Sequence, residues 1–211
     1  MTSFSQLGQD LKVVKSYGSI RDGFFVEIGA SDGIEFSDTY LLETKYNWTG
    51  ICVEPIPKRY EELSKNRPNS SCCNDAIYSE STKVTFDIAN NYDLLSGISK
   101  HIDTHKKDVD SNKTQIEVNT ITLNDLLERY NAPSFIHYMS LDTEGSELEI
   151  LKSFDFKTYT IGLIDVEHNF VEPRRSEIRK LLLANGYEYI EENKWDDRYK
   201  HKTVDIDITR E

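Results

Sequence analysis

Apolar residues recur along this chain in short runs, each closed by a polar or turn-forming cluster, and between the runs the spacing relaxes to a helical period. Phe24, Phe25, Val26 and Ile28 form the first run, which breaks into a glycine-bearing loop before a helix expected over Thr39 to Tyr46. Gly50 to Glu54 repeats the strand pattern and is stopped by Pro55 and Pro57, ahead of a helix over 58–66. A third strand is expected over Ser71 to Ile77, ending near Asp75. Two alternating runs, Lys83 to Ile88 and Gln115 to Ile121, bracket a polar segment, 89–113, that has no period of its own and reads as a substrate-covering loop. Thr122 caps a helix over Leu123 to Tyr130, and Phe135 to Leu141 is the next buried strand, followed by a helix opening at Ser146. Thr160 to Val166 is another strand, Ser176 to Asn185 a helix closed by Gly186, and Tyr187 to Ile190 with Thr203 to Ile208 a closing hairpin. Residues 1–20 form a lead-in with a short helix. Strand alternates with helix and then finishes in β, which predicts a single α/β domain over 1–211, its mostly parallel sheet carrying an antiparallel edge.

Composition narrows the setting. The 211 residues are enough to bury a substantial core in one domain. A formal net charge of −12 repels polyanions, so nucleic acid is a disfavoured partner. No apolar run approaches the ~20 residues that cross a bilayer, and the amino terminus lacks the basic-then-apolar layout of a secretion signal. A soluble, cytoplasmic protein is expected. Cys52, Cys72 and Cys73 lack metal spacing and read as buried free thiols.

In an open α/β sheet, ligands gather beyond the carboxyl ends of the strands, so the first polar residues after each apolar run carry the chemistry. In order these are Glu27, Glu54, Asp75, Asp142 with Glu144, and Glu167 with His168. The loop Glu27-x-Gly29-x-x-x-Gly33, with Asp32 inside it, lets backbone approach a ligand, while Glu27 repels a pyrophosphate and suits a cation such as the α-amino group of S-adenosylmethionine. GxGxxG is absent, because Ser31 and Ile34 stand where glycines would be, and this lowers a dinucleotide reading. Glu54 is placed to accept both ribose hydroxyls of an adenosine, and Asp75 the adenine amino hydrogen. His101 and His105 read as a solvated pair, and Glu147 and Glu149 as solvated helix residues.

EIGASDG, the VEP after the second strand, NDAIY and above all LDTEGSELEIL resemble the FkbM family of S-adenosylmethionine-dependent methyltransferases, and SQLGQD resembles a lead-in motif of many members. The resemblance covers about residues 5 to 190. It implies the Rossmann-like class I methyltransferase fold with a seven-stranded sheet, and O-methylation of sugars and other small hydroxylated molecules, deoxyhexoses such as rhamnose or fucose among them. It implies cofactor contacts from Glu27, Gly29, Ala30, Ser31, Asp32, Gly33, Glu54, Pro55, Asp75 and Ala76. A sugar or glycan acceptor, and a place within a larger glycan-synthesising protein, are the partners it suggests.

An alcohol has a pKa of about 16, so transfer to it needs a base or a metal that stabilises developing negative charge. Asp142, Glu167 and His168, from two neighbouring strand ends, could form an oxygen-rich Mg²⁺ or Mn²⁺ site with one imidazole. This resembles the metal triad of catechol-type and sugar O-methyltransferases, with Glu167 and His168 replacing the usual Asp and Asn. The rival assignment makes His168 the general base, with Asp142 and Glu144 orienting the acceptor or cofactor. A non-catalytic cofactor-binding module is the alternative from another class.

Overall fold

The computed structural model describes residues 2–206. Helix α1 (Gln9–Ser16) leads into strand β1 (Phe24–Ile28), helix α2 (Tyr40–Tyr46), strand β2 (Thr49–Val53), helix α3 (Pro57–Asn66) and strand β3 (Ser71–Cys73). The middle of the chain holds β4 (Ala76–Ile77), β5 (Lys83–Ala89), β6 (Gly97–Ile98), α4 (Lys106–Ser111) and β7 (Lys113–Ile121). Helix α5 (Leu123–Arg129), β8 (Phe135–Leu141), α6 (Glu147–Ser153), β9 (Thr160–Glu167), α7 (Arg174–Ala184), β10 (Tyr187–Asn193) and β11 (Asp196–His201) complete it.

Seven strands form the main sheet in the order β10-β11-β9-β8-β1-β2-β3, parallel except for the β10–β11 edge. Its strands bury both faces, as their near-continuous apolar runs require. Val26, Ile51, Met139 and Ile164 pack on one side against Leu126, Leu151 and Leu182 of the helices. Phe25, Cys52, Tyr138 and Leu163 pack on the other against Val13, Leu42, Trp48 and Leu63. The chain winds from β1 outward through β2 and β3, then returns to place β8 on the other flank of β1. That reversal opens a crevice above Ile28 and Leu141, which are paired in register.

The second sheet, β4-β7-β5-β6, accounts for one departure from expectation. The run Ser71 to Ile77 is not one strand. Asn74 turns its amide to the carbonyls of Glu54 and Pro55 (3.0 and 3.2 Å), and β4 leaves the main sheet to pair with Thr120 and Ile121. The partner of β10 is likewise Asp196–His201 rather than Thr203 to Ile208; 203–206 carry no strand, and 207–208 lie outside the described residues. The charged sequence of β11 hides a buried strand because Arg198 is bidentate on Asp165, so its charge is matched inside the core. Helix α7 begins two residues early, at Arg174, and Thr122 caps α5 by accepting from the Asp125 N–H at 3.1 Å. Segment 89–113 is ordered by short elements: a 3-10 turn at Asp93–Leu95, β6 beside Phe86, and α4, whose Val109 packs with Ala89 and Ile102.

Candidate active site

Above the crevice lies a cavity of about 320 Å³, walled by the ends of β1, β2, β4, β8 and β9, by 92–98 and by the lead-in residues Gln6 and Gln9. The loop after β1 forms its floor. Gly29 has φ 88°, and a Cβ there would fall on the Asp142 carbonyl oxygen, so β1 and β8 approach closely only because this residue is glycine. The N–H groups of Gly29 and Ala30 both donate to Val53 O, at 3.1 and 2.9 Å, tying the loop to β2. Gly29, Ala30 and Ser31 face the cavity. Asp32 and Gly33 do not: Asp32 Oδ1 accepts from the N–H groups of Ile34 and Glu35, and Gly33 packs toward Leu63 and Arg67. Their role is to shape the turn, which corrects their assignment as contacts.

Glu27 touches the cavity wall, but its carboxylate is committed elsewhere. Ser37 Oγ donates to both oxygens at 3.0 Å, the Asp38 N–H to Oε1 at 2.6 Å, Thr39 Oγ1 to Oε2 at 2.6 Å, and Arg67 Nη1 to Oε2 at 3.2 Å. With hydroxyl, backbone and guanidinium donors already on it, Glu27 anchors the start of α2 rather than gripping a ligand's amine. Arg67 also donates through Nε to Glu43 Oε2 at 2.6 Å.

Glu54, Pro55 and Ala76 line the cavity as expected. Glu54 Oε2 accepts from the Ser31 N–H at 3.0 Å and Oε1 from the Ile56 N–H at 2.8 Å, leaving each oxygen a lone pair. Burial pushes its pKa up to about 8, against the pull of those two N–H groups. Asp75 is absent from the wall; it pairs with Arg129 Nη1 at 2.6 Å, because the chain turns away between β3 and β4. Apolar side chains, among them Ile28, Val53, Ile56, Ile77 and Leu95, line the cavity beside Glu54.

At the other end Asp142, Glu144 and Glu167 bring one carboxylate oxygen each within 4.8 Å of one another. Desolvation and then the charge of Glu147 raise Asp142 to about 6. Desolvation and then Asp142 raise Glu144 to about 9, and the same two causes raise Glu167 well above the usual carboxylate range. Glu167 Oε2 is buried with no hydrogen-bond partner. Three acids this close hold protons or a cation. Glu147, expected in solvent, is fully buried and accepts from Thr143 N, Thr143 Oγ1 and Gly145 N, fixing the loop that carries Asp142 and Glu144.

His168 does not join them. It is 1% exposed, and it accepts from the Phe170 N–H through Nδ1 at 3.0 Å and sets Nε2 3.4 Å from Asp197 Oδ1, behind the sheet edge. Glu167 lines the cavity as the last residue of β9, and the chain turns after it, so that His168 does not. His168 therefore shares no site with Asp142 and Glu167, which corrects its place in that metal triad and as general base there; Glu144 takes the third place in the cluster, while His168 groups with Glu192 and Asp197. His101 is half-buried against the Tyr78 hydroxyl at 3.0 Å rather than solvated, while His105 reaches the cavity. Asp38, Asp165, Asp196 and Gln9 also line it. None ends an apolar run in a way that marks it, and only the lead-in motif GQD pointed near Gln9.

Comparison with known proteins decides the family. The methyltransferase FkbM domain matches residues 27–189, which takes in every strand end just described. The chain belongs to the FkbM methyltransferase family. Among curated proteins, "Putative ATP-dependent RNA helicase R350" of Acanthamoeba polyphaga mimivirus is 28% identical over 116 residues, 52% of this chain but 14% of that relative's length. The Methanococcus jannaschii fibrillarin pre-rRNA processing protein superposes with a TM-score of 0.50 at 15% identity, over 94% of this chain and 75% of that one. The precorrin-6y C5,15-methyltransferase of Geobacter metallireducens gives 0.48 at 11% identity, over 86% and 71%. The fibrillarin likeness bears on fold alone, and the FkbM domain shares that Rossmann-like class I architecture.

Proposed function

We propose that this FkbM domain is an S-adenosylmethionine-dependent O-methyltransferase acting on a hydroxyl of a neutral sugar, in a glycan or on a glycosylated small molecule. The observation that carries the reading is the cavity at the β1–β8 reversal, with a ribose-competent carboxylate in an apolar half and a carboxylate cluster in the other. Bound S-adenosylmethionine supplies a methyl group on a positively charged sulfur. Glu54 accepts the ribose hydroxyls, and the neighbouring aliphatic side chains cover the adenine. Asp142, Glu144 and Glu167 would hold Mg²⁺ or Mn²⁺, a fit supported by their all-oxygen donor set and the orphaned Glu167 Oε2. A metal there would lower the pKa of the acceptor hydroxyl, by as much as roughly 8 units in the most favourable case. Without metal, Asp142, the member of the cluster with the lowest pKa, would take the hydroxyl proton as the oxygen lone pair attacks the methyl carbon and the C–S bonding pair returns to sulfur.

Calorimetric titration with S-adenosylhomocysteine, with NAD as control, tests the cofactor class without knowledge of the acceptor. Micromolar binding of the first alone is the expected outcome, weakened about 30- to 1000-fold in Glu54→Ala, or roughly 2–4 kcal/mol. Binding of NAD instead would overturn the reading. Methyl transfer to a sugar acceptor that EDTA abolishes and Mn²⁺ restores is expected of the metal form, whereas EDTA-resistant transfer would leave Asp142 as the base.

A further inference from the structure

With Glu27 committed to Arg67 and the 37–39 turn, the amine end of the cofactor needs another partner, and a different wall of the same cavity offers one. Asp38 and Asp196 both line it, each 8% exposed. Each is steadied by a neutral donor: Ser140 Oγ to Asp38 Oδ2 at 2.6 Å, and Gln9 Nε2 to Asp196 Oδ2 at 2.7 Å. The ladder partner of Asp196 is Glu167, itself an acid, and brings it no positive charge. The nearby guanidinium, Arg198, is bidentate on Asp165. Among the described residues lining the cavity the one lysine or arginine is Arg59, and both its Nε and Nη2 are held by Asp93 at 2.7 and 2.9 Å. Buried acids with no cation to spare are costly, and a ligand that brings its own positive charge removes that cost.

We infer that Asp38 and Asp196, positioned by Ser140 and Gln9, form the subsite for the α-ammonium group of the cofactor, completed by the lead-in residues 6–9. The inference rests on the methyltransferase reading above. It makes the lead-in a part of cofactor recognition: the site distinguishes the intact amino-acid tail from adenosine thioethers that lack it.

The test is calorimetry on the full chain with two ligands that share adenosine and a thioether, S-adenosylhomocysteine and 5′-methylthioadenosine, of which only the first carries the amine. The wild-type chain is expected to prefer S-adenosylhomocysteine at least about tenfold. Asp196→Asn and Asp38→Asn are each expected to lose about tenfold for that ligand with methylthioadenosine affinity unchanged, so the second ligand also reports that the variant is folded. Gln9→Ala, read by the same ratio, stands in if either Asn variant unfolds. Variants that keep the wild-type preference, or that weaken both ligands equally, would overturn the subsite. A wild-type chain that binds neither ligand would instead remove the methyltransferase reading, and the subsite with it.

Discussion

Glu54 is the residue whose chemistry is most exposed to pH. Its pKa in the free protein is pushed up to about 8 by burial, with the Ile56 and Ser31 N–H groups and Arg59 opposing and Asp93 adding to it. In the proposed function ribose hydroxyls donate to the ionised carboxylate, so ligand binding lowers this pKa and releases a proton below pH 8. Affinity for S-adenosylhomocysteine is therefore expected to rise at least tenfold per unit from pH 6 to 8 and to level above it, with Glu54→Gln removing its share of the slope and Asp196, which burial also raises to about 8, keeping the rest. Calorimetry in buffers of different ionisation heat reads both the slope and the proton, and a flat wild-type profile would contradict the assignment. Glu54 was legible because it directly follows an apolar run that stops at Pro55. Glu27 had the same signature, but its partner Arg67 lies 40 residues on, and no local pattern marks that pairing. His168 is next to Glu167 in sequence, but it lies past the end of β9 and is held at Asp197 and the Phe170 N–H, partners that no local pattern marks.

Among the elements, the end of α3 is tied to β1 and α2 through its C-cap side chain. Arg67 is fully buried and spans Glu27 of β1 and Glu43 of α2, so its removal strands two carboxylates away from water. Arg67→Met is expected to cost about 3–5 kcal/mol, read as a lowered midpoint in urea denaturation; a loss under about 1 kcal/mol would show that the carboxylates find other partners. Elements with a strong period or a stop signal, such as β1, β2, β8 and α5, were readable from the sequence. Those set by tertiary pairing were not. β4 is two residues long and exists because Thr120 and Ile121 receive it, and β11 reads as a charged loop until Asp165 is placed opposite Arg198.

At the scale of the whole molecule, charge sets the partners it admits. A net charge of −12, joined to a cavity whose arginine is already paired, disfavours polyanionic acceptors. A fluorescein-labelled single-stranded RNA is expected to show no change in anisotropy up to roughly 10 μM protein at about 0.1 M salt; saturable binding would overturn the neutral-acceptor proposal. The cavity also draws its walls from almost the full span of the chain. Gln9 meets Asp196 across a sequence separation of 187. A ribosome adding about 5–20 residues per second takes roughly 10–40 s to cover that distance. Until β11 has emerged, Gln9 of the lead-in helix lacks its partner Asp196, although the helix already packs on Leu42, Trp48 and Tyr138. If the proposed subsite holds the cofactor's amine, full capture of the cofactor waits for β11, whatever the order in which the sheet assembles.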